Sequence, residues 1–406
     1  MAKNKITWTI NKTIGLFFFG LTHLFPIRQD KNMYLFGLRE LPSYKNDRFY
    51  FNTKYMFLYL CEHYPDIKSV WLCDDKEMLR KFHKRGYKNV YSRNSLKGIW
   101  SFIRAKYWFI DMNANQITKY SCSLIKSEVI NFWHGAGGLK RVGIKDYKTS
   151  ACIKNRVVEW FYHLMKKNDD YYILNSTYEG ECRKSAFGAR DKQIKILGSP
   201  RLDALYNDIK DSDLFMEDDF NNIKQLKEQG KKLFVYMPTF RDTGKDISSW
   251  LLSDKLKQFL KKNNVVLICK LHHMDENPID FNSTEFYKVS NSADIYPILK
   301  YTDALITDYS SVFFDYLHLD KPILYYIPDI EEYIEQCRGF YRPYETLTAG
   351  VYSKTEEELL SAMQDVINGV DKYKEKRKTL LDEMFVYQDG NNCQRCLEFV
   401  KTLGDK

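Results

Sequence analysis

The sequence predicts an α/β protein made of two Rossmann-like halves. Three observations predict it. At 406 residues the chain exceeds what one ordinary core serves, so two domains are expected. Short apolar runs alternate with helix-length amphipathic segments, first before residue 210 and again after residue 230. Glycines, hydroxyls and charged groups cluster where those runs end, which is where parallel sheets carry their chemistry.

In chain order, "MYLFGL", "SVWLC", "KYWFID", "EVINFWH", "YYILNS" and "IKILG" read as strands. Between them, 52–64, 75–85, 95–105 and 177–187 read as helices, and "LGSPRLDALY" starts another after Pro200. Residues 211–230 are charged, lack a strong apolar face, and read as a connection with some helix. The alternation resumes with "KLFVYMPTF", "VVLICKLHH", "DALITDYSS" and "PILYYIPD". From about 355 the pattern is helical. No solenoid repeat or low-complexity tract interrupts it. The expected organisation is a basic and apolar N-terminal segment (1–30), a first Rossmann-like domain (31–210), a second (211–375) and C-terminal helices (376–406). Two such halves facing a central cleft, with a helical C-terminus, form the architecture called GT-B.

The composition, 44% hydrophobic and 28% charged, is that of a globular protein. The formal net charge of +9 favours an anionic partner: a phosphorylated substrate, an acidic membrane face or nucleic acid. No DNA- or RNA-binding motif accompanies it, so nucleic acid is the weakest of these. Nine scattered cysteines fit reduced thiols rather than a disulfide framework. Cys393 and Cys396 have no second pair at zinc spacing and are expected on one helix face. The run "IGLFFFGLTHLF" is shorter than the about 20 apolar residues that span a bilayer. With Lys3, Lys5 and Lys12 before it, it fits a helix lying in an anionic inner-leaflet interface.

Four constellations can carry chemistry. In "NFWHGAGGLK", His134 follows a strand and precedes Gly135, Gly137, Gly138 and Lys140. A histidine takes a proton at physiological pH, and the glycines allow close backbone approach to a ligand. In "ITDYSSVFFDYLHLDKPILYY", Asp308, Ser310 and Ser311 stand between a strand and a helix. A serine there can cap the helix, and the hydroxyls can hold phosphate. In "MPTFRD", Thr239 and Arg241 lie at a strand end. The guanidinium can grip a diphosphate or form a structural ion pair with Asp242 or another acid. In "CKLHHMDE", Lys270, His272 and His273 gather donors, with no third ligand at metal spacing. The shared strand-end position predicts one basic, hydroxyl-rich cleft for a pyrophosphate-bearing donor, with a base on the opposite wall.

"FWHGAGGLK", "MPTFRD", "KLHH", "TDYSSVFFDYLHLDKPILYYIPD", "RGFY" and "DGNNCQRCLEFV", in order from about 130 to 400, resemble the CDP-glycerol glycerophosphotransferase family of teichoic-acid primases and polymerases. Two departures stand out. Ala-Gly-Gly replaces the Thr-Pro pair common after the histidine-glycine, and His273 stands where proline is usual. The resemblance implies a GT-B fold and no certain cofactor. It implies transfer of a polyol phosphate from CDP-glycerol or CDP-ribitol to a hydroxyl of a lipid-linked or polymeric acceptor, with release of CMP. The product would be wall teichoic acid, a capsule or another phosphopolymer. His134 would be the general base, with Gly135 and Lys140 on the acceptor side. His272, Arg241, Ser310 and Ser311 would hold the pyrophosphate, helped by Thr239, Lys270 and Asp308. The place of work would be the cytoplasmic face of the membrane, bound peripherally. Basic clusters at 80–88 and Lys140–Lys148 could draw the chain to an anionic surface or polymer.

Two other readings share parts of the pattern. A GT-B glycosyltransferase would use a nucleotide sugar and an acid for the ribose, such as Glu331, Glu332 or Glu345. A non-catalytic polyanion-binding module would use only the charge and the N-terminus.

Overall fold

The computed structural model describes residues 27–39, 47–113, 116–117, 127–143, 170–239, 241, 249–271, 283–336 and 339–404. The expected N-terminal membrane segment (but for its last residues, from 27), both cluster histidines His272 and His273, Asp242, and Lys145 and Lys148 lie outside them.

Thirteen strands among these residues form two wholly parallel sheets. The first runs in the order β3-β2-β1-β4-β5-β6-β7. Its strands are β1 (Asp30–Phe36), β2 (Lys68–Leu72), β3 (Val90–Tyr91), β4 (Ala105–Ile110), β5 (Glu128–Asn131), β6 (Tyr171–Leu174) and β7 (Ile194–Ile196). The second runs β10-β9-β8-β11-β12-β13. It comprises β8 (Lys232–Met237), β9 (Val265–Cys269), β10 (Phe286–Lys288), β11 (Ala304–Thr307), β12 (Ile323–Tyr326) and β13 (Val351–Ser353). β9, β11 and β12 are buried at every position, because helices cover both faces of a parallel sheet. β3, β10 and β13, of two or three residues each, have no counterpart among the strands expected from the sequence.

The helices begin where short polar side chains can cap them. Asp75, Ser95 and Ser176 accept from first-turn amides, and Thr355 and Glu358 form a capping box. The 211–230 connection contains a full helix, Glu217–Glu228, with Ile223 as its buried anchor. Two helices are capped instead by carboxylates far away in sequence. Asp111, just past β4, accepts from the amides of Asn52 and Thr53 and from the Thr53 hydroxyl. Asp203 accepts from the amides of Asn392 and Cys393.

That second cap shows where the chain goes last. Helix Asn392–Gly404 returns to the first half, stacking Phe399 edge-on to Tyr171 of β6. Cys393 and Cys396 share its buried face, with thiols against the carbonyls of Pro200 and Gly198. One continuous apolar core therefore runs through both halves. Buried charges bolt them together as well. Lys54 of the first half bonds Asp294 and the Ser212 carbonyl of the connection. Arg201 pairs with Asp315 through two nitrogens.

Candidate active site

β5 ends at Asn131, and the chain enters Phe132-Trp133-His134 at the carboxyl end of the first sheet. His134 is exposed, with its ring 4.8 Å from the Trp133 ring and 5.9 Å from that of Phe51. Trp133 and Phe51 both adopt positive φ, 59° and 62°, a costly conformation for bulky side chains. Arg183 donates to the Gly135 carbonyl and lies 4.5 Å over the Trp133 ring.

The glycines after His134 serve a purpose different from the expected one. Gly137 has φ +73° and lies so close to Phe314 of the second half that a Cβ would sit 2.5 Å from the ring. Gly138 has φ +60° and crowds Cys182. Their close approach is to the protein's own side chains, not to an open ligand space. Gly135 faces Ser311, whose Oγ would be 3.2 Å from an added Cβ. The histidine loop and the twin-serine turn are thus adjacent, and no diphosphate fits between Gly135 and Ser311 themselves. Further on, Lys140 bridges to Phe340, while Arg141 and Tyr341 exchange backbone bonds with Gly339 and Leu139. Lys140 reaches Thr239 Oγ1 at 3.5 Å and lies 5.5 Å over the Tyr333 ring.

In the second half, β8 and β11 are neighbours at the point where strand order reverses, and Thr239 and Asp308 follow their ends. The Asp308 carboxylate accepts from the Thr239 amide at 2.9 Å and pairs with Arg241, also at 2.9 Å. Through these contacts Asp308 orders the turn between the two strand ends. Arg241 is 4% exposed. Its Nε and Nη2 bond both oxygens of Asp329, and its plane lies over Tyr309 and Tyr333. Burial would lower its pKa, but Asp308 and Asp329 outweigh burial and hold it above the ordinary value. The guanidinium is therefore committed to a structural ion pair, and the bidentate grip on a diphosphate expected of it is not available without breaking that pair. Tyr309 hydrogen-bonds Asp329, and burial followed by that carboxylate keeps its hydroxyl protonated.

Ser310 and Ser311 are half-buried, and Ser311 precedes a helix of only five residues, Val312–Tyr316. The Ser311 hydroxyl, one of the two able to cap that helix, makes no cap bond to it. Lys270 follows β9 and donates to the Ser290 carbonyl at 2.6 Å. Glu331 is paired with Lys354. Among the described residues no cluster of three or more His, Cys, Asp or Glu is placed to hold a metal ion.

Asp329, Tyr309, Tyr333, Phe340 and Tyr344, which surround Arg241 and the serine turn, are not among the residues that the sequence singles out. Asp329 ends the "PILYYIPD" run, so its strand-end place was a usable signal. The tyrosines carried none, since aromatics abound throughout the chain.

Two facing Rossmann-like sheets, with polar residues gathered at their carboxyl ends, define a GT-B protein. Residues 27–402 match the family model described as CDP-Glycerol:Poly(glycerophosphate) glycerophosphotransferase, and the chain belongs to that family. It is 28% identical over 337 residues to the teichoic acid poly(glycerol phosphate) polymerase of Bacillus subtilis (strain 168), covering 80% of this chain and 43% of that one. It is 30% identical over 277 residues to a teichoic acid ribitol-phosphate polymerase of Staphylococcus aureus (strain NCTC 8325 / PS 47), covering 66% of this chain and 46% of that one. The chain thus spans less than half the length of these two relatives. A structure of the wall teichoic acid polymerase TagF soaked with CDPG superimposes with a TM-score of 0.72 at 21% identity, covering 92% of this chain and 89% of that one. That likeness establishes the GT-B fold.

Proposed function

We propose that the protein moves a polyol phosphate, glycerol phosphate first of all, from a CDP-activated donor to a hydroxyl of a lipid-linked or polymeric acceptor. The observation that carries this reading is the meeting of the His134 loop with the Ser311 turn across the two halves, in a chain of this family. His134 is the general base. It takes the acceptor proton as the acceptor oxygen bonds to the phosphorus bearing the polyol. The bond from that phosphorus to the bridging oxygen breaks, and CMP leaves with the electron pair. Such transfers rest on positioning and charge stabilisation, so several donors are needed. Ser310, Ser311, Lys140, Thr239 and His272 supply them, and Lys270 can turn from Ser290 to join. Arg241 acts indirectly, by holding the Asp308 turn that places the serines. Gly135 lets the His134 loop come this close to the Ser311 hydroxyl.

Association with the inner membrane leaflet, peripheral and through residues 1–30, completes the reading. No helix among the described residues is long and apolar enough to cross a membrane. Assembly of teichoic acid or a capsule-like phosphopolymer fits the same chemistry.

The test is incubation of the full chain with CDP-glycerol or CDP-ribitol and a vesicle-borne lipid acceptor, with and without chelator, measuring CMP. His134→Ala should cut turnover about 10²-fold or more while donor binding persists. CMP release unchanged by that substitution removes His134 as base. Turnover of nucleotide sugars in place of CDP-polyols transfers the assignment to the glycosyltransferases.

A further inference from the structure

The exposed histidine at 134 needs a fixed backbone, and the fold supplies one in an unusual way. Trp133, directly before it, is held at φ 59° with both of its backbone polar groups caught by asparagine side chains. Its N–H donates to Asn131 Oδ1 at 2.8 Å, and its carbonyl accepts from Asn52 Nδ2 at 2.8 Å. The Trp133 carbonyl shares a peptide plane with the His134 nitrogen. Fixing that carbonyl fixes the direction in which the imidazole leaves the chain.

Asn52 is itself fully buried and held on its other sides. Its Oδ1 accepts from the Arg201 amide at 3.2 Å, and its own amide donates to Asp111 at 3.0 Å. Arg201 bonds Asp315 through Nε and Nη2 at 3.1 and 3.2 Å. Asp315 belongs to the short helix that follows Ser311. A chain of buried polar contacts therefore leads from the serine turn of the second half, through Arg201 and Asn52, to the peptide that carries His134.

We infer that Asn52 is a positioning residue for the transfer reaction, setting His134 in register with the Ser310–Ser311 turn through the Trp133 carbonyl. This rests on His134 being the base, as proposed above. Asn52 reaches the chemistry only through Trp133, so its loss should act on the rate of transfer and not on donor affinity. Misplacing a reacting group by about 1 Å can cost about 10²-fold.

The experiment compares Asn52→Ala with Asn52→Ser, which keeps a shorter donor. It measures kcat, KM for CDP-glycerol, the pH midpoint of the kcat profile, and Tm. The expected result is a fall in kcat of about 10-fold or more with KM within about twofold. The pH midpoint should move, and the serine variant should recover part of the rate. A lowered Tm with kcat and pH midpoint unchanged in the folded enzyme would overturn the inference. So would a raised KM at constant kcat. If Asn52→Ala does not fold, the same split read on Asn52→Ser decides. Should His134→Ala leave transfer intact, the base assignment is what fails. Should it abolish transfer while both Asn52 variants keep full kcat, only the inference about Asn52 fails.

Discussion

Gly137→Ala is the sharpest probe of how the two halves meet. The substitution meets two separate costs. At φ +73° the alanine Cβ crowds its own carbonyl, which costs roughly 1–2 kcal/mol. The same Cβ would lie 2.5 Å from two carbons of the Phe314 ring, well inside van der Waals contact. Phe314 has no exposed surface and packs 4.4 Å from the Phe313 ring, so it cannot simply swing away. Overpacking of this kind costs about 1–3 kcal/mol. The sum is about 2–5 kcal/mol, a large part of the 5–15 kcal/mol by which domains are typically stable. Equilibrium denaturation should show that loss, and CMP release should fall with it, because relief requires the His134 loop to move away from the serine turn. Gly135→Ala is the control. Gly135 has no positive φ, and its added Cβ would crowd the rotatable Ser311 hydroxyl and otherwise meet the Trp133 ring at ordinary contact distance, so stability should change by less than about 1 kcal/mol. Adding Phe314→Leu to Gly137→Ala should return the steric share and leave the conformational one. A Gly137→Ala protein within about 0.5 kcal/mol of the parent, with normal turnover, would refute the reasoning.

Other outcomes follow from buried charges. Arg241→Gln leaves Asp308 and Asp329 facing each other without their shared cation, and breaking a buried pair costs about 3–5 kcal/mol. Thermal melts should show that loss, and CMP release should drop through the displaced serine turn. A variant of normal Tm that has lost only donor affinity would instead mark Arg241 as a direct phosphate ligand. His318 accepts or donates at Nδ1 to the Tyr206 hydroxyl and packs on Phe385. Burial, then the nearby Arg201 charge, pushes its pKa down to about 3. Its neutral form is the one folding favours, so the unfolded chain binds the extra proton between about pH 6.5 and 3. The stability it contributes is present above pH 6.5 and drains away as the pH falls toward 3. His318→Gln should flatten the acid limb of a stability–pH curve; an unchanged limb would show that His318 does not drive it.

The alternation of strands and helices, the two halves and the strand-end placement of Thr239, Asp308, Ser310 and His134 were readable from the order of residues alone. These depend on local period, on caps within a few residues, and on the rule that parallel sheets work at their carboxyl ends. The rest came from contacts between residues far apart in the chain. Asp111 and Asp203 cap helices 58 and 189 residues away. Arg241 finds Asp329 across 88 residues, and that carboxylate is the other acid of the ion pair that the sequence offered beside a phosphate grip. Gly137 and Gly138 looked like room for a ligand, and the fold filled that room with Phe314 and Cys182. A side chain's type states what it can bond; which partner reaches it first is settled by how the chain returns on itself, and no local pattern encodes that return.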